Sequence, residues 1–309
     1  MSAEQVRHMY CPICAKASVA KGVVNGEEVY VCPHCTLWFY SSEVRGRLPS
    51  DEDWYADLVS TAPQCTYKLR DIRSYLETMK PMFQRQIGEL NSMVDERQIL
   101  DVGCGLGLFL SVAASVGWEV KGLEKNAHAA NIAKDLLNVS ITNEFNKIPD
   151  QTFSVVRLSH VLEHVSNPLE FLSSAMSKLK PGGVSISILP NVHPFSLSAV
   201  TLIRKLITKS NRITVDMAPG QHILGFNKLS LCKLYEAVSM QPIKVFNISM
   251  GSQTFYPLFY DGLMRREKIS DIDLRTLLRY WLPKFFDNAA NAFGGGQWVV
   301  GYFRKPLKQ

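Results

Sequence analysis

Short apolar runs alternate with amphipathic stretches along the last two thirds of the chain. Each run is rich in Val, Ile, Leu or Phe, which is typical of buried strands, and the stretches between them have the spacing of helices. The predicted strands are residues 99–102, 120–123, 139–141, 153–158, 184–189, 243–246 and 298–303. This alternation predicts an α/β fold with a doubly wound, mostly parallel seven-stranded sheet.

Residues 46–92 are predicted to form a helical linker or cap in front of the first of these strands. Within it, the segments 51–58 and 67–79 have the pattern of short helices. The sequence LKPGG at residues 179–183 is predicted to be a turn before the fifth strand. The predicted division of the chain is a small N-terminal module at 1–45, the linker at 46–92 and a large domain at 93–309.

Two segments of the large domain are longer than the fold requires, and we expect them to line a pocket for a ligand. The first, at about 191–221, carries a helically spaced apolar stripe together with Arg204, Lys205 and Lys209, so it suits a lid or a contact with an anionic membrane surface. The second, at about 251–296, is rich in aromatic residues, which are typical of apolar pocket walls.

The composition is that of an ordinary globular protein, with 309 residues of which 46% are hydrophobic and 20% charged. The N-terminus lacks the pattern of a signal segment, and no apolar stretch reaches the length of about 18 residues expected of a membrane span. A cytoplasmic location is therefore expected. The net charge of +6 is concentrated in the segment 171–215, which has six basic residues and no acidic one.

Four of the seven cysteines form two CPxC pairs near the N-terminus. The pairs are separated by a predicted hairpin with Asn25-Gly26 at its turn, which would bring four thiolates together. A CPxC pair forms a tight turn, called a knuckle, whose two thiolates can bind one ion. Two knuckles are typical of a structural zinc ribbon with a closed tetrahedral site. The expected ligands are Cys11, Cys14, Cys32 and Cys35. Residues 1–50 hold five basic and four acidic residues, so this module has no positive excess for nucleic acid.

The segment ILDVGCGLGLFL at residues 99–110 predicts a strand, a glycine turn and a helix, an arrangement that lets a ligand approach the backbone. Glu124 ends the next predicted strand, about twenty residues further on, where an acidic side chain can bind both hydroxyls of a ribose. A nucleoside ligand is therefore expected. The turn has the form GxGxG and not the GxGxxG of nicotinamide dehydrogenases, which disfavours that class.

The segments DVGCGLG, SHVLEHV and LKPGG, together with Glu124, resemble in order and spacing the class I S-adenosylmethionine-dependent methyltransferases, over about residues 97–250. The resemblance implies a Rossmann-like domain that binds S-adenosylmethionine. It also implies which positions contact the cofactor, and these are Asp101, Gly103, Cys104, Gly105, Gly107, Glu124, Asn143, Glu144, Ser159 and His160. The chain departs from the usual pattern at Ser154, where Asp is common, and at Arg157, an unusual charge within a strand.

Methyl transfer to a hydroxyl group requires a base, and histidine is the natural one near neutral pH. His160, His164, His193 and His222 lie in suitable loops, and His160 and His164 would share one face of a helix that included both. The segment that begins at Gly220 resembles one that covers the active site in related enzymes. On that resemblance, His222 ranks first as the base and His160 second, whereas His164 is expected to have a structural role.

The expected reaction is O-methylation of a small-molecule or glycan-type acceptor that carries an acidic or amphipathic group. Three alternatives remain open: a zinc-ribbon RNA methyltransferase, a sugar C-methyltransferase and a cofactor-binding protein without activity. The RNA alternative is disfavoured because the basic residues form no continuous track. The sugar alternative is disfavoured because the further C-terminal domain of those relatives has no counterpart in this sequence.

Overall fold

The computed structural model describes residues 9–24, 26–46, 69–193, 222–248 and 296–307. The predicted helix at 51–58, most of both predicted insertions and the basic residues Arg204, Lys205 and Lys209 lie outside the described residues. Within the described ranges, no helix is long and apolar enough to cross a membrane.

The described residues form twelve strands and six α-helices. The strands are β1 (Met9–Tyr10), β2 (Ala17–Val24), β3 (Glu27–Val31), β4 (Trp38–Tyr40), β5 (Gln98–Val102), β6 (Glu119–Leu123), β7 (Ile141–Thr142), β8 (Phe153–Ser159), β9 (Leu179–Pro190), β10 (Leu224–Gly225), β11 (Gln241–Ile248) and β12 (Trp298–Arg304). The helices are α1 (Ser42–Arg45), α2 (Leu69–Asn91), α3 (Leu108–Ser115), α4 (Ala127–Leu137), α5 (Pro168–Ser177) and α6 (Lys228–Ala237), with short 3₁₀ helices at Phe145–Lys147 and Leu162–His164.

Seven strands form the central sheet in the order β11-β12-β9-β8-β5-β6-β7. The strands from β9 to β7 are parallel to one another. Strand β12 runs antiparallel to both of its neighbours, so the edge strand β11 has the same direction as the parallel strands. Alternate residues of the strands belong to two separate buried clusters, so both faces of the sheet are covered. This arrangement confirms the predicted doubly wound, mostly parallel, Rossmann-like sheet.

Two predicted strand boundaries were wrong. The third strand lies at Ile141–Thr142 and not at 139–141. LKPGG is part of β9 and not a turn before it, because Leu179 already pairs with Phe153 before the register shifts. The shift occurs around Gly182, whose φ of 77° favours glycine, and the Gly182 N–H donates to the Lys305 carbonyl at 3.0 Å.

Helix α2 confirms the helix predicted at 67–79 but is longer, and it packs against one face of the sheet. Its apolar side chains share a buried cluster with α3, where the rings of Phe83 and Phe109 meet edge to face at 5.6 Å between centroids. The buried apolar residues that the structure describes on α2 are Ile72, Met79, Met82, Phe83, Ile87 and Leu90. The helix therefore covers the sheet beside the strand that leads into the glycine turn.

The N-terminal module shares a sheet with the large domain. Its strands follow the order β1-β2-β3-β4-β10, in which Leu224 of β10 lies opposite Phe39 of β4. Thr36 also donates a hydrogen bond to the Asn227 side chain at 3.0 Å, and Asn227 caps the N-terminus of α6. Residues almost two hundred positions apart are thereby joined in one structure.

Candidate cofactor and metal sites

The glycine turn lies where the order of the parallel strands reverses. The strand β6 follows β5 on one side, and β8 lies on the other side of β5. In open α/β sheets, this switch point forms a crevice at the carboxyl ends of the strands, and ligands bind there. The residues after β5, residues 103–107, and those after β8, residues 160–164, both open onto this crevice.

The glycines of the turn are required by their backbone conformation and by close packing. Gly103 and Gly107 have φ values of 71° and 68°, which other residues rarely adopt. A Cβ atom at position 103 would lie 2.6 Å from Cγ2 of Val161, so the loop after β8 packs directly on the turn. His160, the residue before Val161, is thereby held beside the turn.

Glu124 is buried at the end of β6 and holds the glycine turn. One carboxylate oxygen accepts a hydrogen bond from the Gly105 N–H at 2.8 Å, and the other accepts one from the Asn126 N–H at 2.9 Å. The predicted ribose-binding side chain therefore lies against the turn, as that role requires.

Asp101 has a partner inside the chain that the sequence did not indicate. It lies opposite Arg157 on the neighbouring strand, and one guanidinium nitrogen donates to both carboxylate oxygens at 2.9 Å. The guanidinium also lies 4.2 Å from the centre of the Phe109 ring. Burial raises the pKa of the Asp101 carboxyl, and the Arg157 charge opposes that rise.

The remaining predicted cofactor residues lie along the same edge of the sheet. Asn143 and Glu144 follow β7 and are exposed, and Glu144 pairs with Lys147 at 2.6 Å. Ser159 is the last residue of β8 and is half-buried. Cys104 directs its sulfur toward the backbone of Gly122, where a Cβ atom would lie 2.6 Å away, and burial raises the pKa of this thiol.

His160 and His164 do not share a helical face. His160 has a positive φ of 57°, and the 3₁₀ helix begins only at Leu162, so the helical premise was wrong. Both imidazoles nevertheless approach the same carboxylate oxygen, Oε1 of Glu163. The distance to this oxygen is 3.2 Å from Nδ1 of His160 and 3.9 Å from Nε2 of His164. The edge of the His160 ring also contacts Trp298, with 4.3 Å between centroids.

Glu163 is the centre of a cluster of histidines. Its side chain is only 2% exposed, and the ring of His222 lies 5.1 Å from that of His164. Burial alone would raise the pKa of the Glu163 carboxyl, but the hydrogen bond with His160 and the positive charges that His160, His164 and His222 can carry hold this pKa below its usual value. The carboxylate is therefore ionised at neutral pH.

His193 lies apart from this cluster, against the N-terminal module. Its ring meets that of Trp38 edge to face at 4.6 Å between centroids. Burial lowers the pKa of His193, and the nearby charge of Lys21 acts in the same direction. This contact suits a structural role at the junction of the module and the large domain.

The four cysteines of the CPxC pairs converge as predicted. Their sulfur atoms lie within 4.8 Å of one another, with Cys11 and Cys35 at 3.4 Å and Cys14 and Cys32 also at 3.4 Å. Both knuckles have the same backbone turn, in which the N–H of the fourth residue after the first cysteine donates to that cysteine's carbonyl at 2.9 Å. None of the six described cysteines forms a disulfide. The spacing fits a tetrahedral four-sulfur metal site.

The whole arrangement is that of a methyltransferase, and comparison with known families agrees. A family described as "Methyltransferase domain" matches residues 66–241, more than half of the chain. The chain therefore belongs to this methyltransferase family. It is a class I S-adenosylmethionine-dependent methyltransferase.

Similar curated proteins include ubiquinone biosynthesis O-methyltransferases. That of Ruegeria pomeroyi is 32% identical over 135 residues, which cover 41% of this chain and 54% of the relative. The mitochondrial enzyme of Schizosaccharomyces pombe is 30% identical over 137 residues, covering 41% and 47%. The chain thus spans about half the length of these relatives. A solved S-adenosylmethionine-dependent methyltransferase from Archaeoglobus fulgidus is 18% identical in sequence and superposes with a TM-score of 0.46. The superposition covers 74% of this chain and 94% of the Archaeoglobus chain.

Sequence reasoning missed Glu163 and left Arg157 unassigned. The signal for Glu163 is in the sequence, since the motif SHVLEHV places it three residues after one histidine and directly before another. Arg157 was recognised as unusual, but its partner Asp101 is visible only once the two strands are paired. No sequence signal indicates the pairing of β4 with β10.

Proposed function

We propose that the chain transfers the methyl group of S-adenosylmethionine to a hydroxyl oxygen of a small-molecule or glycan-type acceptor. The observation that carries this proposal is a histidine beside the glycine turn, His160, hydrogen-bonded to the buried carboxylate of Glu163. Methyl transfer from a sulfonium needs alignment of donor and acceptor and, for a hydroxyl acceptor, removal of one proton. The O-methyltransferase names of the curated relatives support the same chemistry.

His160 is favoured over His222 as the base by its position. The backbone N–H of His160 donates to the carbonyl of Ile188 at 2.8 Å, which fixes the loop between two neighbouring strands. Val161 packs on Gly103 in the turn, whereas the ring of His222 packs against that of His164. Glu163 acts as a positioning residue that orients the His160 ring through the hydrogen bond between the two side chains.

The acceptor class is tested with labelled S-adenosylmethionine and fractionated cell extract, treated or not with ribonuclease. Label is expected in small-molecule or glycan fractions and to be insensitive to ribonuclease. Label found only in ribonuclease-sensitive material would favour the RNA alternative. Enzyme that transfers no label to any fraction but binds the cofactor would support a binding protein without activity.

Glu124 is proposed to bind the ribose hydroxyls of S-adenosylmethionine. Glu124→Ala removes two hydrogen bonds to a charged acceptor, so the affinity for the cofactor is expected to fall by about 30- to 1000-fold, or about 2 to 4 kcal/mol. Calorimetric titration measures this loss. The matched control is Glu119→Ala at the exposed start of the same strand, which should bind the cofactor normally. Unchanged affinity in a folded Glu124→Ala variant would contradict the assignment.

Cys11, Cys14, Cys32 and Cys35 are proposed to bind one structural zinc ion. When bound, the ion would join the two CPxC turns directly and so stabilise the N-terminal module. Chelation should lower Tm by about 5 °C or more, since 1 kcal/mol shifts Tm by about 2–4 °C in domains of 150–250 residues. Calorimetry and metal analysis test this expectation.

A matched pair of variants separates the zinc site from general loss of a thiol. Cys32→Ser should lose the zinc and show the lower Tm, whereas Cys232→Ser, on helix α6 and outside the cluster, should keep the metal. A metal-free chain with unchanged Tm and an intact fold would disprove the structural role of zinc.

A further inference from the structure

Glu163, His164 and His222 form a second group of metal-ligating side chains, separate from the four cysteines. One ligand atom from each residue lies within 4.8 Å of the other two. Glu163 is buried, and both histidines are partly exposed, so an ion can reach the group from solvent. We propose that these three residues bind a divalent transition-metal cation. This inference does not depend on the reaction proposed above.

The backbone holds the three side chains together although His222 is far away in the sequence. The N–H of Ile223 donates to the backbone carbonyl of Glu163 at 2.9 Å, which places His222 beside the glutamate. His164 follows Glu163 directly and ends the 3₁₀ helix at Leu162–His164. Two ligand atoms on one ion lie at most about 4.2 Å apart, twice a metal–ligand distance of about 2.1 Å. Small side-chain rotations therefore bring this group to binding distance.

A second observation points to a ligand at this position. Oε2 of Glu163 is buried and has no hydrogen-bond partner within the described part of the chain. A buried carboxylate oxygen without a partner is costly, and structures rarely retain one without a bound water, ion or other group. Because Oε1 already contacts His160 and His164, Oε2 is the atom available to a cation.

The ligand types select the class of cation. Two imidazoles and one carboxylate suit Zn²⁺, Co²⁺ or Fe²⁺ better than Mg²⁺ or Ca²⁺, which prefer oxygen ligands. Three protein ligands leave at least one coordination position open, as in catalytic and not structural zinc sites. That position suits a water or an acceptor oxygen. A nitrogen of His222 bound to metal cannot accept a proton, which agrees with His160 as the base.

The proposal is tested by adding Co²⁺ to the purified 309-residue chain after its cysteine site has been loaded with zinc. Equilibrium dialysis is expected to show about one equivalent of Co²⁺ bound in addition to the zinc. The visible ligand-field absorption of the cobalt should appear without thiolate-to-cobalt charge-transfer bands, since the ligands are nitrogen and oxygen. His164→Ala and His222→Ala should each weaken Co²⁺ binding by at least about ten-fold.

His128→Ala is the matched control, because this exposed histidine on helix α4 is outside the cluster. It should bind Co²⁺ as the unmodified chain does. Circular dichroism verifies that each variant is folded, and His222→Gln replaces His222→Ala if the latter is not. Equal Co²⁺ binding by the unmodified chain and the folded His222 variant would overturn the proposal, as would no binding by the unmodified chain or charge-transfer bands that reveal cysteine ligands.

Discussion

His160→Ala is expected to lower the rate of methyl transfer by about 10²- to 10⁴-fold, the usual cost of removing a general base. The affinity for S-adenosylmethionine should change little, because most of the proposed cofactor contacts come from the glycine turn and Glu124 and not from the His160 ring. Transfer of labelled methyl groups to the active extract fraction measures the first quantity, and calorimetry measures the second. The change would thus affect an interaction made in the transition state and not cofactor binding.

Added imidazole separates loss of a base from damage to the fold. It should restore part of the activity of His160→Ala, since a free base can enter the space left by the side chain. His222→Ala should not respond to imidazole, and His128→Ala should transfer methyl groups normally. Normal turnover in His160→Ala would contradict the assignment of the base. So would a result in which imidazole restores the activity of His222→Ala and not that of His160→Ala.

Arg157→Met is expected to lower the free energy of unfolding by about 3–5 kcal/mol, because it leaves the Asp101 charge without a partner in the core. The two side chains are 7% and 1% exposed, so water cannot replace the lost guanidinium. The double variant Asp101→Asn with Arg157→Met should recover part of this loss, since the remaining group is neutral. Urea unfolding measures all three free energies.

The control for this prediction is an ion pair at the surface. On helix α6, Nζ of Lys233 lies 2.7 Å from Oε2 of Glu236, and both side chains are 46% exposed. Lys233→Met should change the free energy of unfolding by less than about 1 kcal/mol, because exposed pairs are solvated and screened. If both methionine variants had the same small effect, the buried pair would not be important for stability.

The central sheet was predictable because its strands carry a local signal. The predicted runs at 99–102, 120–123, 153–158, 243–246 and 298–303 all fall within observed strands. The interior strands β5 and β8 are almost entirely buried, and such strands have mainly apolar sequences. LKPGG was misjudged because proline and glycine usually end a strand. Here Gly182 forms an irregularity within β9, and its N–H donates a hydrogen bond to the carbonyl of Lys305, the residue that follows β12.

The candidate site was predictable only in part. The glycine turn, Glu124 and the four cysteines follow motifs with fixed short spacing, so their chemistry can be read from neighbouring residues. The pairing of Asp101 with Arg157 and the approach of His222 to Glu163 join residues far apart in the sequence. Such contacts depend on strand register and loop position, which no local pattern encodes.

By itself, the sequence determined the class of fold, the methyltransferase motifs and the cysteine cluster, because each depends on periodicity or on residues a few positions apart. The tertiary structure alone decided three further features. It joined β4 of the N-terminal module to β10, matched the charge of Arg157 to Asp101, and gathered three histidines around Glu163. The physical reason is that these features arise from packing between distant segments, whose relative positions are set by the core and not by local preference.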